Sequence, residues 1–153
     1  MTLQERIIAD MKDAMRAHDE LRVSVLRMLI AAVKNKEIAE RGRGKSGELS
    51  DDEVLAVFKT EVKKRRDGAE GFRVGGRSES AEKEDAERLM IELYLPAELS
   101  DEEIKKLVQP LAEGRGADEF GRVMGAAMKA VAGRANGDRI GAIVKKMLGG
   151  VKT

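Results

Sequence analysis

The chain has 153 residues, 37% of them charged and 3% aromatic, and its 29 basic and 28 acidic side chains leave a net charge of +1. That near-cancellation excludes a polybasic arm or an acidic tail, and the absence of cysteine excludes disulfides, thiolate nucleophiles and cysteine-held metal or iron–sulfur sites. A single histidine, His18, excludes multi-histidine metal cages and leaves an imidazole-centred triad without support.

The N-terminal MTLQERIIADMKD mixes charges into its apolar residues and lacks a signal-peptide core. Leu3, Ile7, Ile8, Met11 and Met15 share one helical face, and Thr2 with Glu5 stands in capping-box register. A break is expected at His18-Asp19, followed by a helix from Leu21 to about Glu40 that is apolar on most sides and therefore central to a bundle. Its Met28–Val33 stretch is the longest apolar run in the chain, far too short to span a membrane. These features predict a soluble, cytoplasmic protein with no membrane anchor.

Residues 41–49 read as a mobile, glycine-rich surface loop. Ser50 and Glu53 cap a third helix with Val54, Phe58, Val62, Ala69 and Phe72 as its inner stripe, ended by Gly75-Gly76. A fourth helix is expected to turn Ala86, Leu89, Met90, Leu93 and Tyr94 inward, and Leu95-Pro96 stops it. Beyond that joint, Ser100 with Glu103 caps a short helix bearing Ile104, Leu107, Val108 and Leu111. Asp118 is placed to cap the next, with Phe120, Val123, Met124, Ala127, Met128 and Val131 on its inner face. After the Gly133–Gly137 turn a last helix carries Ile140, Ile143, Val144, Met147 and Leu148, released by Gly149-Gly150. No β-alternating run is present. The reading is all-α: a four-helix bundle-like domain over 1–96 and a three-helix domain over 97–153.

Charge divides at the same joint. Residues 1–98 carry a net −2, residues 99–153 a net +3, and the stretch from Arg115 onward, with 8 basic and 3 acidic residues, a net +5.

Gly42-Arg43-Gly44-Lys45-Ser46-Gly47 matches G-x-G-x-x-G, but it follows a long helix, whereas a nucleotide-binding loop follows a strand. A solvated loop accounts for it, and no cofactor is expected. The carboxylates crowding the fourth helix read as a solvated face with i,i+4 partners such as Glu84 with Arg88, and His18 as a residue at the first helix's C-terminus. Along the third helix, Lys63, Arg66, Arg73 and Arg77 fall beside the apolar stripe. They suit either an ion-pair seam or an anion-binding strip. Arg65 is expected to pair with a carboxylate of the fourth helix. In the second domain Arg122 and Lys129, Arg139 and Lys146, and Lys145 and Lys152 repeat a seven-residue interval, with Arg134 in the turn between helices. Cations on a surface that Gly133, Gly137 and Gly141 leave approachable suit RNA-backbone contact. With Phe120 on the inner face, shape and backbone rather than bases are the expected target.

The motifs also carry a resemblance. Val123-Met124-Gly125, Met128-Lys129, Gly133-Arg134-Ala135-Asn136 and Ile143-Val144…Leu148 resemble the C-terminal tail of GatB, the B subunit of tRNA-dependent amidotransferases. Arg134 stands where that family has Lys, Gly137 where it has Pro, and Gly141 where it often has Asn. Leu26-Arg27-Met28-Leu29, Gly76-Arg77 with Glu82-Lys83-Glu84 and Glu87, and Tyr94-Leu95-Pro96 with Leu99-Ser100 are similar to the stand-alone YqeY proteins of the same GatB/YqeY group, with Ser80 where Leu is common. The resemblance covers essentially the whole chain. It implies a helical bundle followed by a tail domain associated with tRNA, and a link to glutamine-dependent carbon–nitrogen ligases. The expectation is a module without catalytic residues of its own, touching tRNA through Arg122, Lys129, Arg134, Asn136, Arg139 and Lys146. The alternatives are an adaptor for an aminoacyl-tRNA synthetase or amidotransferase subunits, and a ligase using glutamine as amide donor. No metal or membrane is expected to take part.

Overall fold

Three of the helices begin where the sequence writes a capping box. In the computed structural model, which describes residues 1–149, Thr2, Ser50 and Ser100 each accept the backbone N–H of the glutamate three residues on, and that glutamate's carboxylate returns to the cap N–H. The helices are α1 (Leu3–Arg16), α2 (Glu20–Gly42), α3 (Asp51–Val74), α4 (Ser78–Glu92), α5 (Asp101–Ala112), α6 (Phe120–Val131) and α7 (Gly137–Gly149), with a 3-10 turn at Ala117–Glu119. No strand occurs among the described residues. The chain divides into two compact units, Met1–Leu95 and a second beginning at Pro96. Gly150, expected to release α7, and Lys152 lie outside the described residues.

In the first unit α1 pairs with α2 and α3 with α4, around a core that includes Ile7, Leu26, Leu29, Val33, Val54, Phe58 and Ile91. The α1–α2 turn works through backbone geometry at His18, whose φ is 58°. Its N–H donates to Met15 O (3.2 Å) while the Asp19 N–H donates to Ala14 O (3.0 Å), closing a Schellman turn. Asp19 then caps α2 by accepting from Arg22 N. A Cβ in this left-handed region costs about 1–2 kcal/mol, so His18→Gly is expected to raise the thermal midpoint, read by circular dichroism.

Two polar ties hold this bundle. Glu37 is buried in α2 and accepts from Gln4 Nε2 of α1 at 2.9 Å, with Lys34 Nζ at 3.5 Å. Burial alone would raise its pKa, but the Gln4 amide, the Lys34 ammonium and the Leu49 backbone together hold it below the ordinary 4.5. Its contribution to stability is therefore complete above that value and is lost as pH falls through the lower folded one. Denaturant midpoints are expected to fall on acidification below the carboxylate range, and less steeply in Glu37→Gln. At the other end Tyr94 stands edge-on to Phe58 (centroids 5.8 Å apart), donates to Asp10 and lies under Arg6 at 4.9 Å. Burial, and then Asp10, push its phenol up to about 12.

The fourth helix meets its expected inner face in part: Met90 and the following Tyr94 pack against the core as expected, and Leu89 and Leu93 do not. Ala81 and Ile91 are its buried residues, while Leu89 and Leu93 are 56% and 79% exposed. The reason is electrostatic: the face toward α3 carries Asp85, Glu87 and Glu92, which pair with arginines of α3. Loop residues 43–49 are tethered through Lys45, which meets Glu53 at 3.2 Å and Glu40 at 3.9 Å, and through Leu49, which is buried in the core.

In the second unit α5, α6 and α7 pack on one another around Leu99, Ile104, Val108, Val123, Ala127, Val131, Ile140, Ile143, Val144 and Leu148. α6 ends in two left-handed residues, Ala132 (φ 51°) and Gly133 (φ 76°), so the chain reverses within five residues. Leu107, Phe120 and Met128, expected inside, are exposed. Asp118 does not cap α6. It lies within the 3-10 turn, and Glu119, the residue before α6, makes no side-chain cap.

Candidate nucleic-acid interface

The basic residues of α3 are mostly engaged. Arg65 is largely buried and pairs with Glu61 (3.0 Å) and with Glu87 of α4 (3.2 Å), the cross-helix pairing expected of it. Arg66 meets Glu92 at 3.4 Å and Arg73 pairs with Asp85, while Arg88 of α4 bridges Asp85 and Glu92. Arg77 lies beyond α3, at the N-cap of α4, with its guanidinium 5.3 Å from the Phe72 ring. Only Lys63 of the four keeps an exposed side chain without a partner among the described residues. Two of the four, Arg66 and Arg73, thus join Arg65 in ion pairs between α3 and α4.

Elsewhere in this unit an open groove of about 670 Å³ is lined by Met15, His18, Glu20, Val23, Ser24, Arg27, Met28 and Ala31. The glycine-rich loop follows helix α2, without the strand a nucleotide motif needs, and Gly44 and Gly47 adopt φ of 91° and 97° as turn residues. Among the described residues no group of three or more histidine or carboxylate side chains is placed to hold a metal ion.

The second unit separates its expected contact residues into two sets. Arg139 is a staple: it donates to Asp101 Oδ1 from Nε (3.2 Å) and Nη2 (2.8 Å), and to Leu99 O (2.8 Å), joining α7 to the start of α5. Arg134 donates from Nε to Ala97 O at 3.2 Å, and its own carbonyl accepts the Leu99 N–H at 2.8 Å. Asn136 accepts the Asp138 N–H at 2.6 Å and so caps α7. These three shape the unit. The other set is free: Arg122, Lys129 and Lys146, with Lys145 beside them, are exposed and make no hydrogen bond or ion pair among the described residues.

Arg122 and Lys129 stand two helical turns apart on α6, and the exposed Gly125 lies between them at the i+3 position. A Cβ added at Gly121 or Gly125 would meet nothing within 4 Å, so the surface is open at both positions. The glycines expected to open the surface sit elsewhere: a Cβ on Gly137 would meet Met128 at 4.0 Å and one on Gly141 would meet Met124 at 3.7 Å, so both serve the packing of α6 on α7. The signal for Gly121 and Gly125 was present in their spacing around Arg122. It is legible only once the inner face of α6 is fixed. Such a surface suits a polyanion: two cations with no partner among the described residues flank Gly125, where the backbone is open to approach.

Comparison with known proteins gives relatives named "Altered inheritance of mitochondria protein 41, mitochondrial". The Eremothecium gossypii protein is 33% identical over 88 residues, covering 58% of this chain and 46% of the relative. The Lachancea thermotolerans protein is 34% identical over 86 residues (56% and 44%), and that of Saccharomyces cerevisiae 32% identical over 108 (67% and 56%). The chain thus spans about half the length of the curated relatives it matches. Their names correct the expected location: they are mitochondrial proteins, and the cytoplasmic reading is withdrawn. That reading rested on the charges mixed into the first residues and on short apolar runs, and a charge-balanced helical chain does not distinguish one aqueous compartment from another. The family model described as Yqey-like protein matches residues 4–148. Covering both units as it does, that match establishes that the chain belongs to the YqeY-like family.

Proposed function

We propose that the second unit is a docking module for the phosphate backbone of structured RNA, of the tRNA class that the GatB-tail resemblance implies, and that it acts without catalytic residues of its own. The observation that carries this is the pair Arg122 and Lys129, exposed and unpaired on either side of Gly125. Lys145 and Lys146 add charge from α7, while Arg134, Asn136 and Arg139 keep the framework in which α6 is presented. Because backbone contacts release counterions, affinity for a tRNA transcript should fall linearly with the logarithm of salt concentration. Arg122→Ala with Lys129→Ala should flatten that slope by about two. Absence of tRNA affinity at low salt overturns the function, and an unchanged slope in the double variant overturns the assignment of these two residues.

A second reading, an adaptor for a synthetase or an amidotransferase subunit, is favoured by one observation. Leu89 on α4 and Leu93, the C-cap that follows it, are one turn apart and both exposed. Recovery of a stoichiometric protein without RNA on native purification, lost in Leu89→Ser with Leu93→Ser, would establish it.

A further inference from the structure

We infer that the second unit also holds an unpaired nucleotide, by stacking a base on the ring of Phe120. The inference rests on the RNA-docking reading above and names what that surface selects.

Phe120 is the one aromatic residue from Pro96 onward. It is the first residue of α6, 38% exposed, and is not among the buried residues of its unit's apolar cluster. The chain's other aromatic rings are engaged: Phe58 and Tyr94 with each other, and Phe72 with Arg77. Phe120 makes no such contact among the described residues. A helical side chain leans toward its helix N-terminus, and the segment before Phe120 carries Gly116 and Ala117, both small and exposed. Arg115, exposed and paired with Glu119 at 3.1 Å, lies on that side, and Gly121 and Arg122 follow in the first turn.

An exposed ring beside cations and bare backbone has the chemistry of a single-strand platform. The π-face takes any base, and the neighbouring cations take the flanking phosphates. A paired stem offers no free base face, so the surface should favour RNA with an unpaired end or loop over a closed duplex. An aliphatic side chain of similar volume would supply apolar contact without the ring.

The test uses two RNA hairpins of equal stem length, each closed by a non-nucleotide linker so that neither carries loop bases, one blunt and one with a short unpaired 3′ extension. Wild type should bind the extended hairpin roughly tenfold more tightly, within the range that stacking of one base gives. Phe120→Leu should bind both with the blunt-hairpin affinity and keep the wild-type melting profile. Phe120→Trp should retain the preference and, as the sole tryptophan, lose fluorescence on binding the extended hairpin. Equal binding of both hairpins by wild type, or an undiminished preference in Phe120→Leu, overturns the platform and leaves backbone docking standing. Failure of wild type to bind either hairpin overturns both.

Discussion

Phe58→Ala is expected to destabilise the first unit by about 3–5 kcal/mol while leaving the second unit's transition where it was. Phe58 is fully buried among residues of α1, α2, α3 and α4, and its ring supports the edge of Tyr94. Truncation removes the apolar contact and leaves a cavity that helices tied by Glu37, Arg65 and Tyr94 cannot close by shifting. The second unit draws on a separate cluster that contains none of these residues. Tyr94 is the only tyrosine and there is no tryptophan, so intrinsic fluorescence follows the first unit alone, whereas far-ultraviolet circular dichroism follows both. The two probes should separate in the variant. A common shift of both signals would show that the cores unfold as one.

Charge reversal of Arg122 and Lys129 together should remove most tRNA affinity, on the order of a hundredfold or more at low salt, because it replaces two attractive phosphate contacts by two repulsive ones. Neither side chain has a partner among the described residues, so reversal breaks no ion pair there, and the melting profile should barely move. Arg139→Ala makes the opposite comparison. It removes three hydrogen bonds between α7 and the start of α5, so its effect should appear as lost stability of the second unit. If Arg139→Ala weakens binding at a temperature where the unit remains folded, and the reversal does not, the division between framework and contact residues is wrong.

What the sequence made legible was local. Each capping box needs only residues three apart, and all three formed as expected. The inner stripe of α3 followed from spacing alone, as did the helix count and the break at His18-Asp19. The misreadings share a different cause. Arg134 and Arg139 looked like free cations because their acceptors lie 37 to 40 residues away, at Ala97, Leu99 and Asp101. Leu89 and Leu93 were expected inward beside Met90 and Tyr94, but the pairing of Glu87, Asp85 and Glu92 with arginines of α3 leaves those two leucines outside. Phe120 continues the apolar period of α6, but periodicity does not register that a helix end lacks the covering turn its middle has. Glu37 gave no signal at all, since its meeting with Gln4, beside Lys34 and the Leu49 backbone, is what makes a buried acid tolerable there.

The bare position at the middle of α6 has an evolutionary corollary. Glycine inside a helix costs about 1 kcal/mol relative to alanine, and at Gly125 a methyl group has room. Selection in the laboratory for heat resistance alone should therefore accumulate alanine there. If the proposed docking holds, organisms that rely on it should resist the same change, so that sequence drift at one residue would separate lineages that use this surface from those that keep only the fold.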